Sequence, residues 1–460
     1  MFKFNLENSK YKKIHFIGIG GVSMSGIAHL LKVKGFDITG SDRENSEYLE
    51  VLRNDNVKIF IGQKKENISD QDLFVYTDAI SEDNEELIAA KNTGKEVVTR
   101  GVFLGALMRN YERSIAISGS HGKSTTTSML AKILINANSD ASILLGGLLD
   151  EMHGNVKIGN SDILLTEACE FKGNILNYYP STVVILNIDE DHLDYYKDLN
   201  HIVETFIGYM KNLNENSKAI INIDDKNTNR LLNHIKGDLI TFAVYDENAD
   251  YHVENIEYDE KGHPTFDVKF RNGETHTFQL SVAGIHNIYN ALSAIIAAYE
   301  NGISLYVIKD SIKGYKNLHR RMETIGYYNG AQIMTDYGHH PVEIKTTLKT
   351  IEAFTNKHII TVFQPHTFSR TKALLDDFAN SFYNSDEVIV TDIYPAREKF
   401  DPTIHSKDLV KKLVENGVDA KYIPDFEHAK EYLQSEITEN DLVLTTGCGN
   451  PHVLARMLLK

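Results

Sequence analysis

The sequence has little from which to build a covalent framework: two cysteines, Cys169 and Cys448, in 460 residues. They lie far apart and neither belongs to a C-x-x-C pair. A disulfide scaffold is therefore excluded, and a reducing, cytoplasmic setting is expected. No block of lysine or arginine stands out, and 64 acidic against 48 basic residues leave a net charge of −16. That balance argues against broad nucleic-acid binding but not against one anionic ligand held by a local turn. No apolar run approaches the roughly 18 residues a membrane span needs. Residues 1–8 carry no apolar leader segment either, so neither a signal peptide nor a membrane partner is expected. With only 8 prolines and 30 glycines a long disordered linker is not expected. No repeat or low-complexity tract interrupts the chain, and the 23 tyrosines form no aromatic cage pattern.

What is present is an ordinary globular composition, 42% hydrophobic and 24% charged, and enough length for about three domains. The strongest local signal lies near residue 120. An apolar strand at 115–118 runs into Gly119-Ser120-His121-Gly122-Lys123-Ser124-Thr125, and a helical pattern follows through Met129, Leu130, Ile133 and Leu134. A strand, a glycine turn and Lys-Ser at a helix start aim backbone N–H groups at phosphate oxygens. Lys123, expected on a solvent-facing loop, would reach the β/γ phosphates, and the Ser124 hydroxyl would hold a magnesium ion. The pattern is incomplete, because Ile117 stands where the full motif has its first glycine.

Two more strands of this central unit end in polar clusters. Residues 163–166 lead to Glu167-Ala168-Cys169-Glu170, and residues 182–186 lead to Asn187-Ile188-Asp189-Glu190-Asp191-His192-Leu193-Asp194. Near-continuous apolar runs are the mark of strands buried on both faces, and ligands bind beyond the carboxyl ends of such strands. Ser124, Glu167 and His192 are thus candidate magnesium ligands beside a nucleotide γ-phosphate, with the histidine a minority ligand. Further on, His286-Asn287 opens an amphipathic helix through Ile288, Ala291, Leu292, Ile295 and Ile296.

The first unit opens on a strand at 14–18, a turn Gly18-Ile19-Gly20-Gly21 and a helix. A second strand ends at Asp42, about 20 residues on, where a dinucleotide fold places its ribose-binding acid. The third fingerprint glycine is missing, since Ser23 stands near its place. The third unit repeats the plan with strands at 332–335, 359–363, 387–391 and 441–445, followed by Asp336-Tyr337-Gly338-His339-His340-Pro341, Thr367-Phe368-Ser369-Arg370 and Gly447-Cys448-Gly449. His339 and His340 have no Cys or His partner at zinc-ligand spacing. Arg370 can clamp a carboxylate through two parallel hydrogen bonds. The expected units are residues 1–112, 113–325 and 326–460, each α/β with a mainly parallel sheet.

Taken together, these motifs resemble the Mur ligase family over essentially the whole chain and in the family's order. They are Gly18-Ile19-Gly20-Gly21, the Lys123 loop, Glu167-Ala168-Cys169-Glu170, Asp191-His192-Leu193-Asp194, His286-Asn287-Ile288-Tyr289-Asn290-Ala291, Arg320-Arg321, Tyr337-Gly338-His339-His340-Pro341 and Phe363-Gln364-Pro365-His366. The initial glycine strand, the His-His-Pro and the Phe-Gln-Pro-His segments are similar to the alanine-adding branch.

The resemblance implies a Rossmann-like first domain, a P-loop ATPase-like central domain and a Rossmann-like third domain. The first would bind the UDP end of UDP-N-acetylmuramate near Gly20, Gly21, Ser23, Asp42, Thr77 and Ala79. The central one would bind ATP and Mg2+, with His286, Asn287, Asn290, Arg320, Arg321 and Asp336 joining Gly119 to Thr125. The third would bring in L-alanine with Tyr337, His339, His340 and Arg370. The chemistry implied is an acyl phosphate made from the sugar's carboxylate and captured by the amine, with Lys123, His339, His340 and Arg370 as catalytic candidates and a monomer or weak homodimer as the state. Two departures stand out. Thr367 replaces an arginine common in the family, leaving Arg370 or a neighbour to bind the anion alone. The lysine that later-acting members carry past the metal histidine is replaced by Phe206-Ile207-Gly208, which agrees with the alanine-adding branch. A ligase attaching a recycled peptide to the same sugar nucleotide would share nearly every motif. A nicotinamide-dependent oxidoreductase would leave the Lys123 loop, Glu167 and His192 without a role.

Overall fold

Short apolar runs become strands buried on both faces, and the glycine turns after them open into helices. The computed structural model describes every residue except Asp194 and Arg397 and holds three successive α/β units. The first sheet has five parallel strands in the order Lys58–Ile61, Asp37–Asp42, Lys13–Ile17, Leu73–Tyr76 and Glu96–Thr99. The order reverses beside Lys13–Ile17, which leaves a crevice at the carboxyl end of that strand. Gly18 to Gly21 occupy it, and helix Val22–Val33 follows, burying Met24, Ile27, Leu30 and Leu31.

The central sheet has ten strands. Seven are parallel, in the order Tyr251–Tyr258, Asp238–Ala243, Lys218–Asn222, Thr182–Ile185, Arg113–Ser118, Ile163–Ala168 and Ser142–Leu149. Antiparallel strands finish both edges: Pro264–Lys269 and Thr275–Gln279 on one, Gly154–Lys157 on the other. Helices Lys123–Asn136 and Ile285–Glu300 share one core, in which Met129, Leu130, Ile133 and Leu134 lie with Ile288, Leu292, Ile295 and Ile296. Each such side chain contributes about 1.5–3 kcal/mol by leaving water, so the glycine-loop helix and the His286–Asn287 helix are fixed relative to one another.

The third sheet runs Glu323–Tyr328, Ala331–Asp336, Asp441–Thr446, His358–Phe363, Glu387–Val390 and Ala420–Tyr422, with only the first pair antiparallel. Its first strand straddles residue 326. The units touch through named bonds. Asn155 Nδ2 donates to Val22 O (2.7 Å) and Asn174 Nδ2 to Asp78 Oδ2 (2.8 Å) between the first and central units. Arg370 Nη2 donates to Asp191 Oδ1 (2.9 Å) and His340 Nε2 to Glu190 O (2.9 Å) between the central and third. Among the described residues no helix is long and apolar enough to cross a membrane.

Candidate active site

Strand Arg113–Ser118 delivers the glycine loop, and helix Lys123–Asn136 begins on it. Gly122, the N-cap, has φ +85°, and a Cβ there would stand 2.4 Å from Asn290 Oδ1. Only glycine fits such a turn. Asn187 clamps the loop: its Oδ1 accepts from His121 N (2.8 Å) and its Nδ2 donates to His121 O (3.1 Å). Ser120 Oγ accepts from Asp189 N (2.9 Å). Lys123 is not solvent-facing as expected; its side chain is 15% exposed. Its Nζ donates to Gly119 O, to Ser120 O (3.0 Å) and to Glu170 Oε2 (3.2 Å). Burial works against its charge, but Glu170 and Asp191 outweigh that and hold its pKa above the ordinary lysine value.

Of the three expected metal ligands, two are bonded to each other, and the third has other neighbours. Ser124 Oγ donates to Glu167 Oε2 (3.0 Å), and Gly146 N donates to Glu167 Oε1 (2.6 Å). Burial pushes the Glu167 carboxyl up. His192 stands with two other acids, its Nε2 3.6 Å from Asp191 Oδ2 and 3.9 Å from Glu170 Oε1. Glu170, Asp191 and His192 offer ligand atoms within 4.8 Å of one another. Despite burial, a bond with Cys169 and the charges of Asp191 and Glu170 raise His192 to about 9. Ser124, Glu167, Lys123 and His192 nevertheless line one cavity of about 330 Å³, together with Ser23 and His339. Asp194, the last residue of the Asp-His-Leu-Asp motif, lies outside the described residues.

A larger cavity, about 500 Å³, is lined by Gly122, Thr125, Asn290, Arg321 and the third-unit residue Thr347. His286 and Asn287 line it too, and burial and the Arg321 charge lower His286 to about 4. Asn290 Nδ2 donates to Asn287 Oδ1 (3.2 Å), which fixes both amides. The arginine pair divides. Arg321 lines this cavity, whereas Arg320 Nη2 donates to Gly447 O (3.0 Å) and Gly449 O (2.8 Å) and so holds a third-unit loop. Asp336 also lines the cavity, but its carboxylate accepts from Met322 N (2.9 Å) and Gly338 N (2.8 Å).

A third cavity, about 260 Å³, is lined by Tyr337, His339, Arg370, His192 and both cysteines. Arg370 does not stand alone. Besides Asp191, its Nη1 lies 3.3 Å from His366 Nδ1. Asp191 is buried, and His192 and Arg370 nonetheless hold its carboxyl well below the usual range. Thr367 caps helix Phe368–Ala373, its side chain accepting from Arg370 N (3.4 Å). His340 has both ring nitrogens engaged, Nδ1 accepting from Val342 N (3.4 Å) and Nε2 donating to Glu190 O. His339 uses Nδ1 toward Tyr337 O (3.2 Å), and burial lowers it to about 4.

Sequence reasoning missed Glu343. Its Oε2 accepts from His339 N (3.1 Å) and His340 N (3.2 Å), while Oε1 lies 3.6 Å from His121 Nδ1 and 3.9 Å from Arg321 Nη1. It ties the third unit to the glycine loop. The spacing His340-x-x-Glu343, a capping-box pattern, was the available signal. In the first unit, Asp42 Oδ2 accepts from Gly20 N (2.7 Å), and Gly21 is the N-cap of helix Val22–Val33. Thr77 packs against Gly18, and Ala79 is exposed; neither lines the three cavities.

Comparison with known proteins gives a consistent picture. Residues 13–112 match the family model described as Mur ligase family, catalytic domain. Residues 117–298 match the Mur ligase middle domain, and 320–449 match Mur ligase, glutamate ligase domain. The chain is 44% identical over 455 residues to the UDP-N-acetylmuramate–L-alanine ligase of Acetivibrio thermocellus, covering 99% of this chain and 97% of the relative. It is 43% identical to the enzyme of that name from Alkaliphilus metalliredigens, covering 100% and 99%. Among solved structures, UDP-N-acetylmuramate–alanine ligase from Thermotoga maritima superposes with a TM-score of 0.82 at 26% identity, covering 97% and 98%. A murein peptide ligase from Psychrobacter arcticus shares the fold, with a TM-score of 0.75 at 23% identity over 97% and 98%.

Proposed function

The chain belongs to the Mur ligase family, and from that premise we propose that it joins L-alanine to UDP-N-acetylmuramate while ATP is cleaved to ADP and phosphate. The observation that carries this reading is one cavity with walls from all three units: Ser23 from the first, Lys123 and Glu167 from the second, His339 from the third. An ordered assembly of sugar nucleotide, ATP and amine needs such a meeting point, and alanine-adding relatives cover the whole chain.

A carboxylate and an ammonium are both stabilised ions, so direct amide formation is slow; activation divides it into two easier steps. The sugar's lactyl carboxylate attacks the γ-phosphorus and yields an acyl phosphate and ADP. The amine of L-alanine then attacks the acyl carbon, and phosphate leaves. Phosphoryl transfer asks for positioning and charge neutralisation rather than covalent help. The loop N–H groups and Lys123, whose charge is held by Glu170 and Asp191, supply both. The adenosine end occupies the 500 Å³ cavity, against Asn290, His286 and Arg321.

The donor set fits a magnesium ion, since Glu167 is a half-buried carboxylate held by just one hydroxyl and one backbone N–H among the described residues. Ser124 and Glu167 would hold it, with His192 across the cavity. Bound there, it would neutralise charge developing on the transferred phosphoryl group. Arg370 and the 260 Å³ cavity receive the amino acid, the guanidinium facing its carboxylate. His340 is occupied by its capping bonds, so His339 Nε2 is the group that accepts a hydrogen bond from the incoming amine and orients it. The reading places the enzyme in the cytoplasm, as a monomer or weak homodimer. Hydroxylamine tests the intermediate. With ATP and UDP-N-acetylmuramate present and no amino acid, it should capture a hydroxamate of the sugar nucleotide; no hydroxamate would speak against an acyl phosphate.

A further inference from the structure

The proposed reaction gives His121 of the glycine loop no task, yet two side chains converge on it at the joint between the central and third units. Asp189 Oδ2 lies 3.2 Å from His121 Nε2, and the ring centroids of His121 and His340 lie 4.9 Å apart. His121, Asp189 and His340 each offer one ligand atom within 4.8 Å of the other two. Sequence spacing offered His340 no ligand partner; the fold brings it two from another unit. Two imidazoles and a carboxylate are donors that suit zinc and its neighbours, whereas magnesium prefers oxygen and water. Bonds of about 2.0–2.1 Å to a tetrahedral ion set neighbouring ligand atoms about 3.3 Å apart. The 3.2 Å between His121 and Asp189 is close to that separation.

The surroundings supply what a ligating histidine needs behind it. A metal-bound imidazole is oriented by a carboxylate or carbonyl at its other ring nitrogen. For His121 that group is Glu343, whose Oε1 lies 3.6 Å from Nδ1. Glu343 Oε2 also accepts from His340 N (3.2 Å), so one carboxylate supports both histidines. Asp189 and Glu343 together hold a proton on His121. A dication meets the same negative charge once that proton has left. His340 exchanges a neutral hydrogen bond, to Glu190 O or from Val342 N, for the ion. His121, Asp189 and Glu343 line the 500 Å³ cavity, which gives an ion its way in. The cluster of Glu170, Asp191 and His192 is a poorer host, with one imidazole and with Lys123 and Arg370 already answering its acids.

We propose that His121, Asp189 and His340 bind a divalent ion of the zinc class, which clasps the third unit to the glycine loop. The site shares no residue with the magnesium position at Ser124 and Glu167, and it depends on the identity of neither substrate. Isothermal titration of the full chain with zinc, in excess magnesium and without nucleotide, tests it. The wild type should bind one zinc ion that His121→Gln and His340→Gln each weaken by about tenfold or more, since even an orienting partner is worth that much. His192→Gln should leave this ion in place. Wild-type affinity in His121→Gln overturns the proposal, as does a zinc ion that His192→Gln alone removes, or a wild type that binds no zinc. If His121→Gln weakens the ion and His340→Gln does not, the ion sits on the loop alone and the clasp is refuted. Should a histidine variant melt far below the wild type, Asp189→Asn carries the test: a loss of about tenfold or more supports the site, and zinc bound as tightly as by the wild type refutes it.

Discussion

At the scale of single residues, the site works through charges that are buried and answered. Lys123 combines an exposure of 15% with a carboxylate partner, Glu170, that is 2% exposed. Lys123→Ala should therefore do two things. Turnover at saturating ATP should fall by about 100-fold or more, the scale of losing one preorganised charge at a transferring phosphoryl group. Stability should fall by roughly 3 kcal/mol, because the buried Glu170 loses its lysine partner and keeps only His192, at 3.9 Å. Steady-state kinetics and a thermal melt check both, and wild-type turnover would remove Lys123 from the mechanism. Glu167→Gln keeps the shape and the bond to Ser124 but removes the anion, so the magnesium concentration for half-maximal rate should rise; an unchanged titration would deny Glu167 that role. The Lys123 loop was legible in the sequence because its chemistry sits in seven consecutive residues. The Asp191–Arg370 pair was not, because 179 positions separate the partners and only packing of two units brings them together.

At the scale of elements, the phosphate loop carries a histidine whose ionisation is coupled to the third unit. His121 Nε2 lies 3.2 Å from Asp189 Oδ2, its Nδ1 3.6 Å from Glu343 Oε1, and its ring centroid 4.9 Å from that of His340. Burial opposes its charge, but Asp189 and Glu343 raise it to about 9. The folded value lies above the ordinary 6.5 or so of a free histidine. The contribution to stability is thus complete below about pH 6.5, declines as the pH climbs, and is gone above about 9. Melting temperatures from pH 6 to 10 should fall more for the wild type than for His121→Gln; parallel curves would show that the imidazolium is not what ties the loop to Glu343. Apolar runs gave three of the seven parallel strands of the central sheet, at 115–118, 163–166 and 182–186, and the two central helices. They did not give Tyr251–Tyr258, because that strand alternates Glu, His and Asn with apolar residues and is partly exposed. Such a strand has no continuous apolar run to read.

At the scale of the molecule, the reactive groups come from three units, and the segment between the central and third units decides whether they meet. Residues 316–322 contain no regular element, and Arg320 and Met322 hold left-handed φ values of +62° and +45°. We expect this segment to be the hinge about which the third unit closes over ATP and the sugar nucleotide. Small-angle scattering with both ligands should report a smaller radius of gyration than without them, and superimposable profiles would mean that no such hinge operates. The central claim is the identity of the acceptor amine, and release of ADP tests it most directly. The purified full chain is given ATP, magnesium and UDP-N-acetylmuramate, with no amine, with L-alanine, or with L-alanyl-γ-D-glutamyl-meso-diaminopimelate. The account predicts sustained ADP release with L-alanine alone of the three; sustained release with the tripeptide and none with L-alanine would contradict it.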